Sequence, residues 1–140
     1  MQEIVKDVMT KEVLAVLPSD TVEQAAVLMY ENDIGSVPVV LDGVLKGILT
    51  DRDIVVRCIA KGKSTSKAKV SEIMSNDICT LTPKNTLHDA IEIMAKEQIR
   101  RVPVVENGMI DGIVSLADIA RVHSGPEIAL AISEISLPSE

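Results

Sequence analysis

Aromatic side chains are almost missing from this chain of 140 residues, which has one Tyr, no Phe and no Trp against 46% hydrophobic residues. Its core must therefore be built from Val, Ile, Leu, Met and Ala, a supply whose β-branched members favour strands. The same poverty argues against sequence-tolerant binding of single-stranded nucleic acid, which stacks bases on aromatic rings. A formal net charge of -7 points the same way, because phosphate backbones attract a basic face. Cysteine is scarce as well. Cys58 and Cys79 form no CxxC pair and are too few for a disulfide framework, so two reduced thiols are expected. His88 and His123 lie far apart without metal-ligand spacing. No apolar run approaches the roughly 20 residues that span a bilayer, and Glu3, Lys6 and Asp7 interrupt any signal-peptide pattern. These absences predict a cytoplasmic protein that engages neither nucleic acid nor membrane.

What the chain does have is repetition. Residues 8–55 align without a gap with residues 73–120. Met9 pairs with Met74, Pro18 with Pro83, Thr21 with Thr86, Met29 with Met94 and Ile34 with Ile99. Val37-Pro38-Val39-Val40 then meets Val102-Pro103-Val104-Val105, while Gly47, Asp53 and Ile54 meet Gly112, Asp118 and Ile119. Such a repeat means two copies of one supersecondary unit. The expected boundaries are residues 1–62 for the first copy, 63–70 for a linker, 71–123 for the second copy and 124–140 for a helical tail.

Each copy reads as strand, helix, two-stranded hairpin, helix. Val13 to Leu17 is an apolar strand ended by Pro18, and Asp20 is placed to cap a helix with Glu23 three positions on. Val22, Ala25, Ala26 and Met29 give that helix an apolar face, repeated by Leu87, Ala90, Ile91 and Met94. Asp42-Gly43 and Asn107-Gly108 are two-residue hairpin signals between Val37–Leu41 and Val44–Leu49, and between Val102–Glu106 and Met109–Val114. A last helix runs from Thr50 to Gly62, and its counterpart from Ser115 to about His123. Lys61 to Lys69 lacks a hydrophobic period and reads as exposed. After Gly125-Pro126, a further helix carries Ile128, Ala131, Ile132 and Ile135 as an apolar stripe.

The most pointed chemistry lies where the hairpin meets the last helix. Gly47-Ile48-Leu49-Thr50-Asp51-Arg52-Asp53 and Gly112-Ile113-Val114-Ser115-Leu116-Ala117-Asp118 share a Gly, two aliphatics, a hydroxyl residue and an Asp one turn later. A hydroxyl can donate to a ligand oxygen, and a carboxylate offers acceptors for the paired hydroxyls of a ribose. The Gly lets another backbone or a flat ring approach closely. The same residues also fit a plain N-terminal cap that satisfies only the helix itself. Both readings stand on spacing alone.

These residues carry a family resemblance. The repeat, through Asp33 to Val40, Gly47 to Ile54, Ile99 to Val105 and Gly112 to Ile119, resembles the CBS domain, and the pair resembles a Bateman module. Leu49 to Val55 is particularly similar to small bacterial CBS-pair proteins of the hypoxic-response type. The resemblance implies an α+β fold: duplicated β-α-β-β-α units packed about a pseudo-twofold axis with two clefts between them, here with a short C-terminal helix. It also implies an adenosyl ligand: AMP, ADP or ATP first, S-adenosylmethionine or NAD less so, and none obligatory. Carried over by position, Asp53 and Asp118 would hold ribose hydroxyls, and Thr50 and Ser115 would bond ribose or phosphate. Ile34, Gly35, Ser36, Val37 and Pro38, with Ile99, Arg100, Arg101, Val102 and Pro103, would flank the base. Arg100 and Arg101 suit phosphate, and Gly35 and Ser36 replace them in the first copy. The two clefts should differ accordingly.

No motif pairs a nucleophile with a base, so catalysis is not expected. The leading expectation is a non-catalytic regulatory module that binds an adenosyl ligand and signals to an effector protein or through a homodimer, with Val55, Val56 and Ile59 supplying apolar contact. Its rivals are a ligand-free dimeric scaffold with degenerate clefts and a redox or metal sensor using Cys58 or Cys79.

Overall fold

The computed structural model describes residues 3–122 and 125–135, so His123 lies outside the described residues. The chain divides into two compact units: Leu14–Ile78, and Met1–Val13 together with Cys79–Glu140. Each has its own hydrophobic core. Leu49, Val22, Val37, Val39, Val70 and Ile73 anchor the first, while Met94, Ile119, Leu81, Val5, Val102 and Val104 anchor the second.

In the first unit, α1 (Val22–Asn32) precedes a hairpin of β1 (Ser36–Leu41) and β2 (Val44–Thr50). The second unit repeats this with α4 (Leu87–Glu97), β3 (Arg101–Glu106) and β4 (Met109–Ser115). Both hairpins turn on residues with positive φ, 52° and 80° at Asp42-Gly43 and 54° and 79° at Asn107-Gly108, as the tight turn requires. The register slips at matching places, between Val39 and Val40 and between Val104 and Val105. The fold class is α+β.

Some elements differ from expectation. The cap of α1 is Thr21, not Asp20. Its Oγ1 accepts from the Gln24 N–H at 3.1 Å and Gln24 answers by accepting from the Thr21 N–H at 2.8 Å. Asp20 instead closes the turn after Pro18, accepting from the Leu17 N–H at 2.8 Å. The strand expected over Val13–Leu17 reduces to a single parallel bridge, Val16 to Val39. The last helices also diverge. In the first unit α2 (Asp51–Asp53) continues as a π-helix over Ile54–Ile59, whereas α5 (Leu116–Val122) is a regular α-helix. The tail helix α6 (Pro126–Ile135) forms as expected and packs on α4 through the buried Ile128.

The units do not follow the repeat boundaries. In the first unit the Val22 N–H donates to Ala68 O (2.9 Å), Val70 N–H to Asp20 O (2.8 Å) and Ser71 N–H to Pro18 O (3.0 Å). In the second, Leu87 N–H donates to Glu3 O (3.2 Å), Val5 N–H to Asn85 O (2.8 Å) and Lys6 N–H to Pro83 O (3.0 Å). The two sets match position for position, so the segment that leads each copy of the repeat is built into the unit of the other copy. The stretch expected to be a linker therefore ends in structure. Ala68 is buried, Thr65 O accepts from the Glu23 N–H at 2.9 Å, and α3 (Val70–Ile73) places two side chains in the core.

The exchanged segments also close a strand edge. Ser75 and Ile48 trade both backbone hydrogen bonds at 2.8 and 2.9 Å, and Thr10 and Ile113 do so at 2.8 and 3.0 Å. The glycines beside them make this possible. A Cβ on Gly47 would lie 2.8 Å from Ser75 O, and one on Gly112 would lie 2.8 Å from Thr10 O. Both glycines therefore admit a neighbouring backbone, and Met74 and Met9 cover them.

The exchange makes residues 14–78 a contiguous unit, whereas residues 1–62 lack Val70, Ile73 and the Ser75 edge. Fully burying each such side chain is worth about 1.5–3 kcal/mol. Fragment 14–78 is expected to melt cooperatively by circular dichroism and fragment 1–62 to show no transition. A cooperative fragment 1–62 beside an unfolded fragment 14–78 would refute this division.

Candidate functional site

Within each unit the hairpin brings the motif residues together. Ser36 pairs with Thr50 and Val37 with Leu49, so the entry to β1 lies beside the exit of β2. The Asp51 N–H donates to Gly35 O at 2.9 Å and ties Ile34–Ser36 to the Thr50–Asp53 turn. The second unit repeats the arrangement: Arg101 pairs with Ser115, Val102 with Val114, and the Leu116 N–H donates to Arg100 O at 2.8 Å. Two rims result, one per unit, each joining a hydroxyl, an Asp and the segment that enters the first strand of the hairpin.

Both hydroxyl–Asp pairs form reciprocal caps. Thr50 Oγ1 accepts from the Asp53 N–H at 3.0 Å, and Asp53 Oδ2 accepts from the Thr50 N–H at 3.0 Å. Ser115 and Asp118 make the same two bonds, each at 3.0 Å. The cap does not exhaust either side chain. Each hydroxyl spends a lone pair rather than its proton, and each carboxylate spends one of two oxygens. The other oxygen faces an arginine in both units. Asp53 Oδ1 lies 3.7 Å from Arg57 Nε, too far for a hydrogen bond, whereas Asp118 Oδ1 accepts directly from Arg121.

Burial decides what the flanking residues can offer. Val37, Pro38, Val102 and Pro103 are buried, and the Pro38 and Pro103 carbonyls already accept from the Val16 and Leu81 N–H groups, so these four residues have little left to offer a ligand. Ile34 and Ile99 are half-buried, and Gly35, Arg100 and Arg101 are exposed. The rims carry opposite charge beside that backbone. In the first, Asp51 Oδ2 lies 3.1 Å from where a Cβ of Gly35 would stand. In the second, Arg100 and Arg101 occupy the positions of Gly35 and Ser36, and the buried Leu116 replaces Asp51.

Two features lay outside sequence reasoning. Arg57, one turn after Asp53, donates to the carbonyls of Ile73 and Met74 at 3.3 and 3.4 Å. Arg121 engages Asp118 from three residues on, not four. An arginine one helical turn after an acid is the only signal that could have marked them. Among the described residues no group of three or more His, Cys, Asp or Glu is placed to hold a metal. Cys58 is a buried thiol in the first core. No described helix is long and apolar enough to cross a membrane.

Burial works to raise the pKa of Asp118, but the Arg121 guanidinium and the Ser115 N–H and hydroxyl together outweigh it and hold the carboxyl below the usual range. Asp89, in the cap of α4, is also lowered, by the Thr86 N–H first and then by the Asn85 side chain. A folded-state pKa below the unfolded value of about 3.9 gives stability that is present above that value and lost as pH falls through the folded pKa. Asp118→Asn is therefore expected to flatten the fall of the urea midpoint below about pH 4. An acid limb as steep as that of the unsubstituted protein would contradict the assignment.

The geometry has counterparts among known proteins. The family model described as CBS domain matches residues 5–59 and 70–125. The CBS domain-containing protein YhcV of Bacillus subtilis (strain 168) is 47% identical over 116 residues, which span 83% of this chain and 82% of that protein. Hypoxic response protein 1 of Mycobacterium tuberculosis is 37% identical over 117 residues, 83% of this chain and 82% of its own. A crystal structure of Hypoxic Response Protein I, with two coordinated zinc ions, matches at a TM-score of 0.78 and 35% identity, covering 86% of this chain and 99% of that one. The CBS domain pair of protein MJ0100, solved in complex with 5′-methylthioadenosine and S-adenosyl-L-methionine, matches at a TM-score of 0.73 and 28% identity, covering 87% and 96%. With the same family matched over both repeats, this chain belongs to the CBS-domain proteins, as a tandem CBS pair.

Proposed function

We propose that the protein is a non-catalytic regulatory module that binds an adenosyl ligand of the AMP, ADP or ATP type at its hydroxyl–Asp rims. The observation that carries this reading is that both caps leave a hydroxyl proton and a carboxylate oxygen uncommitted to the cap. Those are the groups a ribose diol would engage. The adenosyl compounds bound by the MJ0100 pair support the ligand class. Ile34 and Ile99 would lie against the base, with the backbone of Gly35 and Ser36 and of Arg100 and Arg101 beside its edge. Arg100 and Arg101 favour a phosphorylated ligand at the second rim. The Asp51 carboxylate beside Gly35 repels phosphate at the first, which suits a nucleoside-type ligand there. A ligand signals through its difference in affinity for two states, and the receiver would be an effector protein or a second copy.

For a second copy, the first unit offers Val55, Val56 and Ile59, which are 55%, 44% and 56% exposed. A homodimer through this face predicts that Val56→Glu with Ile59→Glu sediments as a monomer at concentrations where the unsubstituted chain is a dimer. Equal sedimentation of the two would remove this face from the interface.

A ligand-free scaffold is the second reading, and the reciprocal closure of both caps favours it. Thermal melting with AMP, ATP, S-adenosylmethionine and 5′-methylthioadenosine separates the two. A specific ligand at one hundred times its Kd adds about 2.7 kcal/mol, a rise of several degrees. Asp53→Asn combined with Asp118→Asn should abolish the rise, and Arg100→Ala with Arg101→Ala should remove it for ATP alone. No rise with any of the four compounds would leave the scaffold.

A further inference from the structure

We propose that Arg121 guards the second rim: it holds Asp118 closed to a neutral nucleoside and yields it to a phosphorylated ligand, which makes it a specificity-determining residue. This deepens the ligand reading above and rests on it. Each unit sets an arginine against the carboxylate oxygen that its cap leaves over, but the two arginines are not the same position of the repeat. Arg57 stands four residues after Asp53 and Arg121 three residues after Asp118, and the repeat pairs Arg57 with Val122 and Arg121 with Val56. The first reaches back from a π-helix, the second from a regular α-helix.

Their grip differs, and the cause lies within each unit. Arg57 spends its guanidinium on the carbonyls of Ile73 and Met74 at 3.3 and 3.4 Å, and its Nε stays 3.7 Å from Asp53 Oδ1. That distance is too long for a hydrogen bond, so Asp53 Oδ1 can take a new donor without losing one. Arg121 has no carbonyl tether among the described residues and donates directly to Asp118 Oδ1. The Asp118 side chain is 9% exposed, and a donor arriving at that oxygen competes with the guanidinium. Arg121 itself is 70% exposed and can swing away without disturbing the core.

The exchange is unfavourable for a neutral ligand. A ribose diol would replace a charge-assisted hydrogen bond with neutral ones, leaving the arginine to water. A phosphate on the same ligand changes the balance, because the guanidinium fork matches its oxygens. Arg121 then trades one anion for another, and the exposed Arg100 and Arg101 of the same rim add to the attraction. The first rim imposes no such condition, since its arginine is already occupied elsewhere.

The test is calorimetric titration of adenosine and of AMP into the full chain carrying Asp53→Asn, which silences the first rim. AMP should bind about tenfold more tightly than adenosine, the scale of one hydrogen bond to a charged group. Adding Arg121→Ala should tighten adenosine, weaken AMP and remove most of that preference. A gain of adenosine binding is the decisive sign, because a rim that was merely damaged would lose both ligands. Arg121→Gln keeps a donor and removes the charge, so it should weaken AMP as well, and circular dichroism checks that each variant is folded. AMP bound with the same preference over adenosine in all three proteins overturns the guard and leaves the ligand reading standing. If neither compound binds any of them, the ligand reading fails and the guard falls with it.

Discussion

The whole arrangement depends on where the backbone of one short segment finds its hydrogen bonds. Along the outer edge of each hairpin's second strand, N–H and C=O groups left unpaired would be costly when buried. Ser75 closes that edge for β2 and Thr10 closes it for β4. Neither closing segment comes from the copy of the repeat that it serves. Gly47 and Gly112 are the steric condition for this closure, since a side chain at either position would strike a carbonyl at 2.8 Å. Strand edge, helix start and core are completed together by the same few residues, Glu3 to Thr10 in one unit and Ala68 to Ser75 in the other.

The rims inherit their positions from that closure. Thr50 and Ser115 stand two residues beyond the closed edge, and their caps set the direction of the following helix. The cap occupies only part of each side chain, and the proposed ligand would use the atoms that the cap leaves over. The two copies have nonetheless diverged in charge. The first rim keeps Asp51 over Gly35 and an Asp53 whose second oxygen lies 3.7 Å from Arg57, while the second has two arginines and an Asp118 already engaged by Arg121. A pair of like folds thus presents unlike chemistry.

Much of this was legible in residue order. Turn chemistry announced both hairpins, because Asp-Gly and Asn-Gly tolerate positive φ at both positions. Helical spacing of Val22, Ala25 and Met29, and of Leu87, Ala90 and Met94, marked the buried faces correctly. The cap of α1 was misplaced by one residue, since Asp20 and Thr21 are both competent acceptors and only the preceding turn decides between them. The strand expected over Val13–Leu17 does not form, because Val16 alone is buried and bridged to β1 while Leu14 and Leu17 stay 47% and 45% exposed. For the rims, the hydroxyl–Asp spacing could be read directly. The burial of Val37, Pro38, Val102 and Pro103 could not, since neighbouring strand residues face opposite sides and both sides are covered only in the folded unit.

Local pattern by itself determined the duplication, the element types, the two turns and the rim motifs, because each depends on the conformational preference of a few neighbouring residues. The assignment of Val5 and Met9 to one unit and of Val70 and Met74 to the other was decided only in three dimensions. A repeat shows which positions share an origin, whereas burial and backbone pairing choose partners by free energy across the whole chain. Arg57 belongs to the same category: its reach to Ile73 and Met74 spans a turn, a stretch of lysines and a short helix that no local rule connects.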